Sequence, residues 1–206
     1  MTRSWRTSRI RQAFLIAFLV VAFPLIFVFG VVGIATFRVP SDSMIPTLSP
    51  GDFIVTKPES TYRRGEIVVI ESPIDNGWFV KRIVGVGGDK IRIEGGALFI
   101  NGEYASEPYT EEPINYSLTD LTVPENEVLV LGDNRNESLD ASLWIIDVHT
   151  GEGRELEKPT PLGEKEGEWK RTVPVDTIIG KVVLRYLPRD RFGEIRSFPL
   201  TNVSGE

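Results

Sequence analysis

The sequence predicts a mostly β body of folded or closed sheets, preceded by one transmembrane helix. Three observations predict it. Residues 13–37 contain no charged side chain, and at the helical rise such a run spans roughly 37 Å, more than the ~30 Å hydrocarbon core of a bilayer. After Phe37 the apolar residues come in short β-branched or aromatic runs with no long stretch at helical spacing. Fourteen prolines and nineteen glycines punctuate the chain, as turn-rich sheet proteins require.

Taken in order, residues 1–12 form a basic N-terminus. They carry Arg3, Arg6, Arg9 and Arg11 and no acid, so of the chain's net charge of −6 the part beyond residue 37 bears −10. Arginines ahead of an apolar run are a topology signal that holds this end in the cytoplasm and places residues 38–206 outside. The expected location is the cytoplasmic membrane, crossed once. Pro24, Gly30 and Gly33 are tolerable inside a spanning helix. Two other readings of residues 13–37 stand beside the anchor. A cleavable secretory signal would use Gly33-Ile34-Ala35 as a small-residue site, but its apolar core is normally only about 7–15 residues. A buried core helix would show a polar stripe, and none is present.

In the body, Phe53–Val55, Ile67–Ile70, Phe79–Val86, Ile91–Ile93, Leu98–Ile100, Val128–Leu131 and Ile178–Tyr186 read as strands. Gly95-Gly96 and Asn101-Gly102 sit where tight hairpin turns belong. Residues 105–126 read as a polar surface excursion. Residues 150–172, rich in Glu, Lys and Gly, read as an exposed, partly mobile loop.

Composition excludes several chemistries. No cysteine and a single histidine, His149, leave no thiol nucleophile and no imidazole-built zinc site, so neither metal nor cofactor is expected. An acidic body excludes nucleic acid as a partner. A serine nucleophile in this chain needs a base that is not histidine. Ser43, in Pro40-Ser41-Asp42-Ser43-Met44-Ile45-Pro46-Thr47-Leu48, lies just beyond the apolar run, and Lys81 lies among Trp78-Phe79-Val80 and Ile83-Val84. Lysine serves as a base only when neutral, and apolar burial lowers its pKa toward that state. Taken singly, Ser43 also reads as a turn residue and Lys81 as a solvent-facing lysine on an edge strand. His149 could form a triad with Ser43 and Asp147, although a solvated loop histidine fits its hydrophilic surroundings better.

Together these segments carry more. Pro40 to Leu48 with Gly51-Asp52, then Arg64-Gly65-Glu66-Ile67-Val68-Val69, then Lys81 to Asp89, then Gly132-Asp133-Asn134-Arg135 with Ser138 and Asp140, follow one another behind an N-terminal anchor. In this order they resemble the bacterial type I signal peptidases (leader peptidases). The match covers most of residues 38–140 and resumes at Val173–Tyr186. The resemblance implies a membrane-anchored Ser/Lys endopeptidase that cleaves N-terminal signal peptides from exported preproteins after small residues. Its implied partners are membrane lipid, the preproteins and the export machinery. Carried over residue by residue, Ser43 matches the nucleophile and Lys81 the general base. Ser41 matches an oxyanion-binding serine and Ser138 the serine that orients the lysine. Asp133, Arg135 and Asp140 match framing residues. Gly87 stands where proline is common. Ser142 stands where an arginine often follows the aspartate, which leaves the support of Ser138 without its usual Asp–Arg pair unless another arginine supplies it. Residues 143–172 form an insertion with no assigned role. Two rival functions remain: a Ser/Lys protease with one dedicated substrate, and a catalytically silent anchored β-domain that binds exported chains.

Overall fold

The computed structural model describes residues 3–23, 30, 33–158 and 169–200. The chain divides into two compact units, residues 1–35 and 36–206.

The N-terminal unit opens with helix α1, Arg3–Ala17, and continues as a π-helical stretch, Phe18–Ala22. Among the described residues no helix is long and apolar enough to cross a membrane. Residues 24–29 and 31–32 of the expected span lie outside the described residues. The far end of that span is corrected: β1, Ala35–Arg38, is a strand, alternating half-buried and exposed residues. Thr36 and Phe37 favour extended backbone, and the Phe37 ring packs edge-on against Trp78 at 4.8 Å. The peptide bond after Ala35 is therefore held in a sheet edge rather than in a helix.

The body holds β2 (Phe53–Lys57), β3 (Ile67–Glu71), β4 (Trp78–Val86), β5 (Lys90–Glu94), β6 (Ala97–Ile100), β7 (Glu103–Tyr104), β8 (Leu118–Thr122) and β9 (Glu127–Leu131). These are followed by β10 (Trp144–Asp147), β11 (Gly153–Glu155), β12 (Trp169–Lys170), β13 (Val173–Pro174), β14 (Ile178–Leu187) and β15 (Gly193–Glu194). The main sheet runs β1-β2-β14-β3-β4-β9-β13, with β15 on β14. A second sheet runs β7-β6-β5-β8 and a third β11-β10-β12. The mostly β body expected from the sequence is what forms.

Both glycine-bearing hairpin turns are where the sequence puts them. Asn101 and Gly102 take φ of 56° and 86°, and Gly95 and Gly96 take 60° and 85°, the left-handed pairs that two-residue hairpins need. Residues 105–126 are more than a surface excursion. They contribute β8, which pairs with β5, and they bury Ala105, Tyr109, Ile114, Leu118 and Val123. Residues 150–172 are not wholly a loop either. β11 and β12 flank β10, while residues 159–168 lie outside the described set.

Two apolar clusters position the site. One gathers Ile83, Leu129, Leu131, Trp144 and Ile146 with the second sheet. The other gathers Val39, Met44, Leu48, Ile54, Val69, Val80 and Val182. Burying two side chains of the size of Met44 and Leu48 stabilises by roughly 3–6 kcal/mol in total, so the segment between β1 and β2 is pinned to the core on the C-terminal side of Ser43.

Candidate active site

β4 is a central strand, paired to β3 through Val68–Lys81 and to β9 through Arg82–Leu131. Lys81 is thus in mid-sheet, which removes the solvent-facing edge-strand reading. Alternation along a strand sends neighbouring side chains to opposite faces, and Lys81 and Arg82 take different tasks accordingly.

Lys81 is 2% exposed. Its Nζ lies 2.8 Å from Ser43 Oγ and 5.4 Å from the centre of the Phe79 ring. Ser43, 7% exposed, sits in a 3-10 turn, Asp42–Met44, whose next residue Met44 is locked in the core. That lock fixes the serine's backbone and leaves its hydroxyl facing the amine. Burial lowers the Lys81 pKa to about 8, against the opposing pull of Asp140 and then Asp133. A buried amine close to neutrality, beside a hydroxyl, can remove that hydroxyl's proton.

Ser41 precedes this turn in extended conformation, with φ −139° and ψ 171°, and its Oγ stands 3.4 Å from Ser43 Oγ. The 132–142 segment closes the other side. Asn134 N–H donates to the Ser43 carbonyl at 3.1 Å, and Asn134 Nδ2 donates to the Asp42 carbonyl at 3.3 Å. Gly132 is the tightest point. A Cβ there would stand 2.2 Å from Ser138 Oγ and 2.4 Å from the Ser43 carbonyl oxygen, so only glycine admits both. Ser138 is buried, but its Oγ makes no hydrogen bond among the described residues, and the expected bond to Lys81 is not formed.

The framing residues hold the segment by buried charge. Asp133 takes a two-pronged contact from Arg82, 2.7 Å from Nε and 2.6 Å from Nη2, and accepts from Thr47 Oγ1 at 2.5 Å. The Arg82 guanidinium also donates to the Gly65 carbonyl and lies 3.9 Å over the Tyr109 ring. Arg135 is paired with Glu107 at 2.8 and 2.6 Å and donates to the Gly132 carbonyl at 2.9 Å. Asp140 accepts the N–H groups of Gly132 at 2.7 Å and Ser142 at 2.9 Å.

Ser142 leaves the turn after Asp140 without a guanidinium of its own, and Arg171 enters that turn. Its Nη1 donates to the carbonyls of Ala141, Ser142 and Trp144 at 2.9, 2.9 and 3.2 Å. Reasoning from sequence passed over Arg82, Glu107, Thr47 and Arg171. Of these only Arg82, buried in the apolar run beside Lys81, carried a local signal. His149 lies in an exposed turn, where its backbone N–H donates to Asp147 Oδ1 at 2.8 Å. That carboxylate also accepts from Thr150, so it caps a turn and the triad alternative has no support in the geometry.

The model of the family described as "Signal peptidase, peptidase S26" matches residues 9–187. The chain belongs to the peptidase S26 signal peptidase family. A signal peptidase I of Leptolyngbya laminosa is 32% identical over 180 residues, covering 79% of this chain and 76% of the relative. A probable signal peptidase I-2 of Synechocystis sp. is 39% identical over 179 residues, covering 79% and 69%. A crystal structure of a signal peptidase I from Enterococcus faecalis is 21% identical and covers 59% of this chain and 97% of that one, at a TM-score of 0.38. The activity that goes with the S26 family is peptide-bond hydrolysis by a serine peptidase, directed at signal peptides.

Proposed function

We propose that Ser43 is the nucleophile and Lys81 the general base of this signal peptidase. The 2.8 Å approach of Lys81 Nζ to Ser43 Oγ in a buried mid-sheet position is the observation that carries the reading. Neutral Lys81 takes the hydroxyl proton as Ser43 Oγ bonds to the scissile carbonyl carbon. The developing oxyanion is met by the Ser43 N–H and the Ser41 hydroxyl, fixed donors of a kind each worth about 2.7–4 kcal/mol in other hydrolases. The tetrahedral intermediate collapses as the Lys81 ammonium returns the proton to the leaving amine. The mature chain departs and the signal peptide stays as an ester on Ser43. Lys81, neutral again, takes a proton from water, whose oxygen attacks the ester and frees the serine.

Asp133, Arg135 and Asp140 act on this reading as supports rather than as reacting groups. Ser138, buried beside Gly132, is on this reading the hydroxyl that orients the amine. Incubating the full chain with a signal-peptide-bearing precursor tests the pair. Ser43→Ala and Lys81→Ala should each lose cleavage while retaining the thermal unfolding transition. Normal turnover by either variant overturns the assignment.

The same reading includes an anchor. The arginines before residue 12 and the uncharged run from Ala13 support a single span with the N-terminus inside and the β body outside. With Gly33 at a φ of 72° and β1 claiming Ala35 onward, the uncharged residues 13–32 would cover roughly 30 Å as a helix, the thickness of the hydrocarbon core. Lipid, preproteins and the export machinery are the partners this placement brings, and small residues before the cleaved bond are the specificity that accompanies the family resemblance.

A further inference from the structure

The 143–172 insertion leaves the site region at Trp144 and returns at Arg171, and these two residues are bonded to each other. Trp144 Nε1 donates to the Arg171 carbonyl at 2.9 Å, and Arg171 Nη1 donates back to the Trp144 carbonyl. Both side chains are fully buried. β10 pairs with β12 just beyond, through Ile146–Lys170, and β13 begins at Val173 on the edge of β9. Arg171 is therefore the point where the excursion rejoins the main sheet.

Its surroundings lead to the base. The Trp144 ring stacks on Phe79 at 5.6 Å and 18°, and Phe79 carries the Lys81 amine on its own ring. The three carbonyls that Arg171 Nη1 holds belong to the turn immediately after Asp140. Asp140 in turn fixes the Gly132 N–H, and Gly132 is wedged between Ser138 and Ser43. One guanidinium nitrogen thus collects a turn whose other side faces the reacting pair.

We propose that Arg171 is a positioning residue for the Lys81 base, and that the insertion serves to deliver it, with Trp144, to the turn that carries Ser138 and Asp140. This rests on the reading of Ser43 and Lys81 as the catalytic pair. The charged groups facing Lys81 are Asp140 and Asp133. Asp133 is neutralised by Arg82, while Asp140 has Arg171 and Tyr116 in its field. Loosening the turn admits water to the amine and leaves Asp140 less compensated. Both effects favour the ammonium, so the Lys81 pKa rises.

The test compares wild type, Arg171→Gln and Arg171→Lys in the full chain, measuring kcat, KM and the pH profile of precursor cleavage. A lysine keeps the charge and three donors but is one atom shorter. For Arg171→Gln the expected result is a kcat lower by about tenfold or more, the scale of a lost charge-assisted hydrogen-bond set. KM should stay close to wild type, and the acid limb should move upward from about 8. Arg171→Lys should fall between, with a smaller displacement in the same direction. A folded Arg171→Gln protein whose acid limb stays at the wild-type position overturns the proposal, whatever its rate, because a merely structural brace would lower the rate alone. Should Arg171→Gln not fold, Arg171→Lys decides: a displaced limb supports the proposal, and a wild-type limb overturns it, whatever the rate. Lys81→Met, assayed alongside, separates the two claims. Its continued turnover would remove the catalytic pair itself, whereas its inactivity with unmoved Arg171 variants removes only the positioning role.

Discussion

At the scale of the residue, Lys81 trades stability for reactivity. Its pKa is lowered from 10.5 to about 8, chiefly by burial, so below pH 8 the folded protein carries an ammonium in a dry site. Between pH 8 and 10.5 the unfolded chain binds the proton that the folded one has shed, and stability contributed by this group rises with pH across that window. Lys81→Met removes the penalty. The variant should be more stable than wild type at pH 7 by up to about 3 kcal/mol, with the difference closing as pH approaches 10.5. Denaturant unfolding at the two pH values checks this. The rate follows the same titration, so cleavage should climb through pH 8 as the amine becomes neutral. Ser138→Ala keeps the nucleophile and should lose only part of the roughly 10²–10⁴-fold that a positioned base supplies. Gly132→Ala is harsher. Its methyl group would meet Ser138 Oγ at 2.2 Å and the Ser43 carbonyl at 2.4 Å, and a displacement of that size should cost about a hundredfold or more in kcat. A Gly132→Ala enzyme with wild-type kcat would mean that the 132–138 turn does not set the nucleophile.

At the scale of the element, β4 joins chemistry to support. Lys81 serves the pair with Ser43, and the next residue, Arg82, is fully buried against Asp133. Breaking a buried pair strands the remaining charge, which typically costs about 3–5 kcal/mol. Asp133→Ala should therefore lower the unfolding free energy by that order, as read by urea denaturation, and a loss near zero would show that Thr47 and Tyr109 suffice to hold Arg82. β2, β3, β4, β9 and β14 of this sheet were legible because each is a run of β-branched or aromatic residues, and the hairpins because Gly95-Gly96 and Asn101-Gly102 supply left-handed pairs. By contrast, β1 was hidden in the uncharged run, and the two-residue β13 and β15 carry no pattern of their own. Ser43, Lys81 and Gly132–Arg135 were legible because each lies in a compact motif. β8, β10–β12, Glu107 and Arg171 were not. β10 is a short apolar run, Trp144-Ile145-Ile146, that reasoning from sequence passed over, while the others sit in polar stretches where local pattern carries no β signal and tertiary pairing makes them part of the structure. Arg171 is the sharpest case: its partners lie 27–30 residues away in sequence.

At the scale of the whole molecule, charge is segregated: arginines precede the uncharged run and the acidic groups lie in the body. If that run anchors the body outside the membrane, protease added to spheroplasts should digest residues beyond 38 without lysis. Digestion only after lysis would reverse the orientation. The account as a whole rests on one covalent event, formation of an ester between a signal peptide and Ser43 with Lys81 accepting the proton. Acid-quenching the full chain early in precursor turnover, then mapping the adduct by peptide mass spectrometry, tests it most directly. The account predicts an acyl group on the peptide containing Ser43, absent from Ser43→Ala and from Lys81→Met. An adduct on any other residue, or steady cleavage by Ser43→Ala, would contradict it.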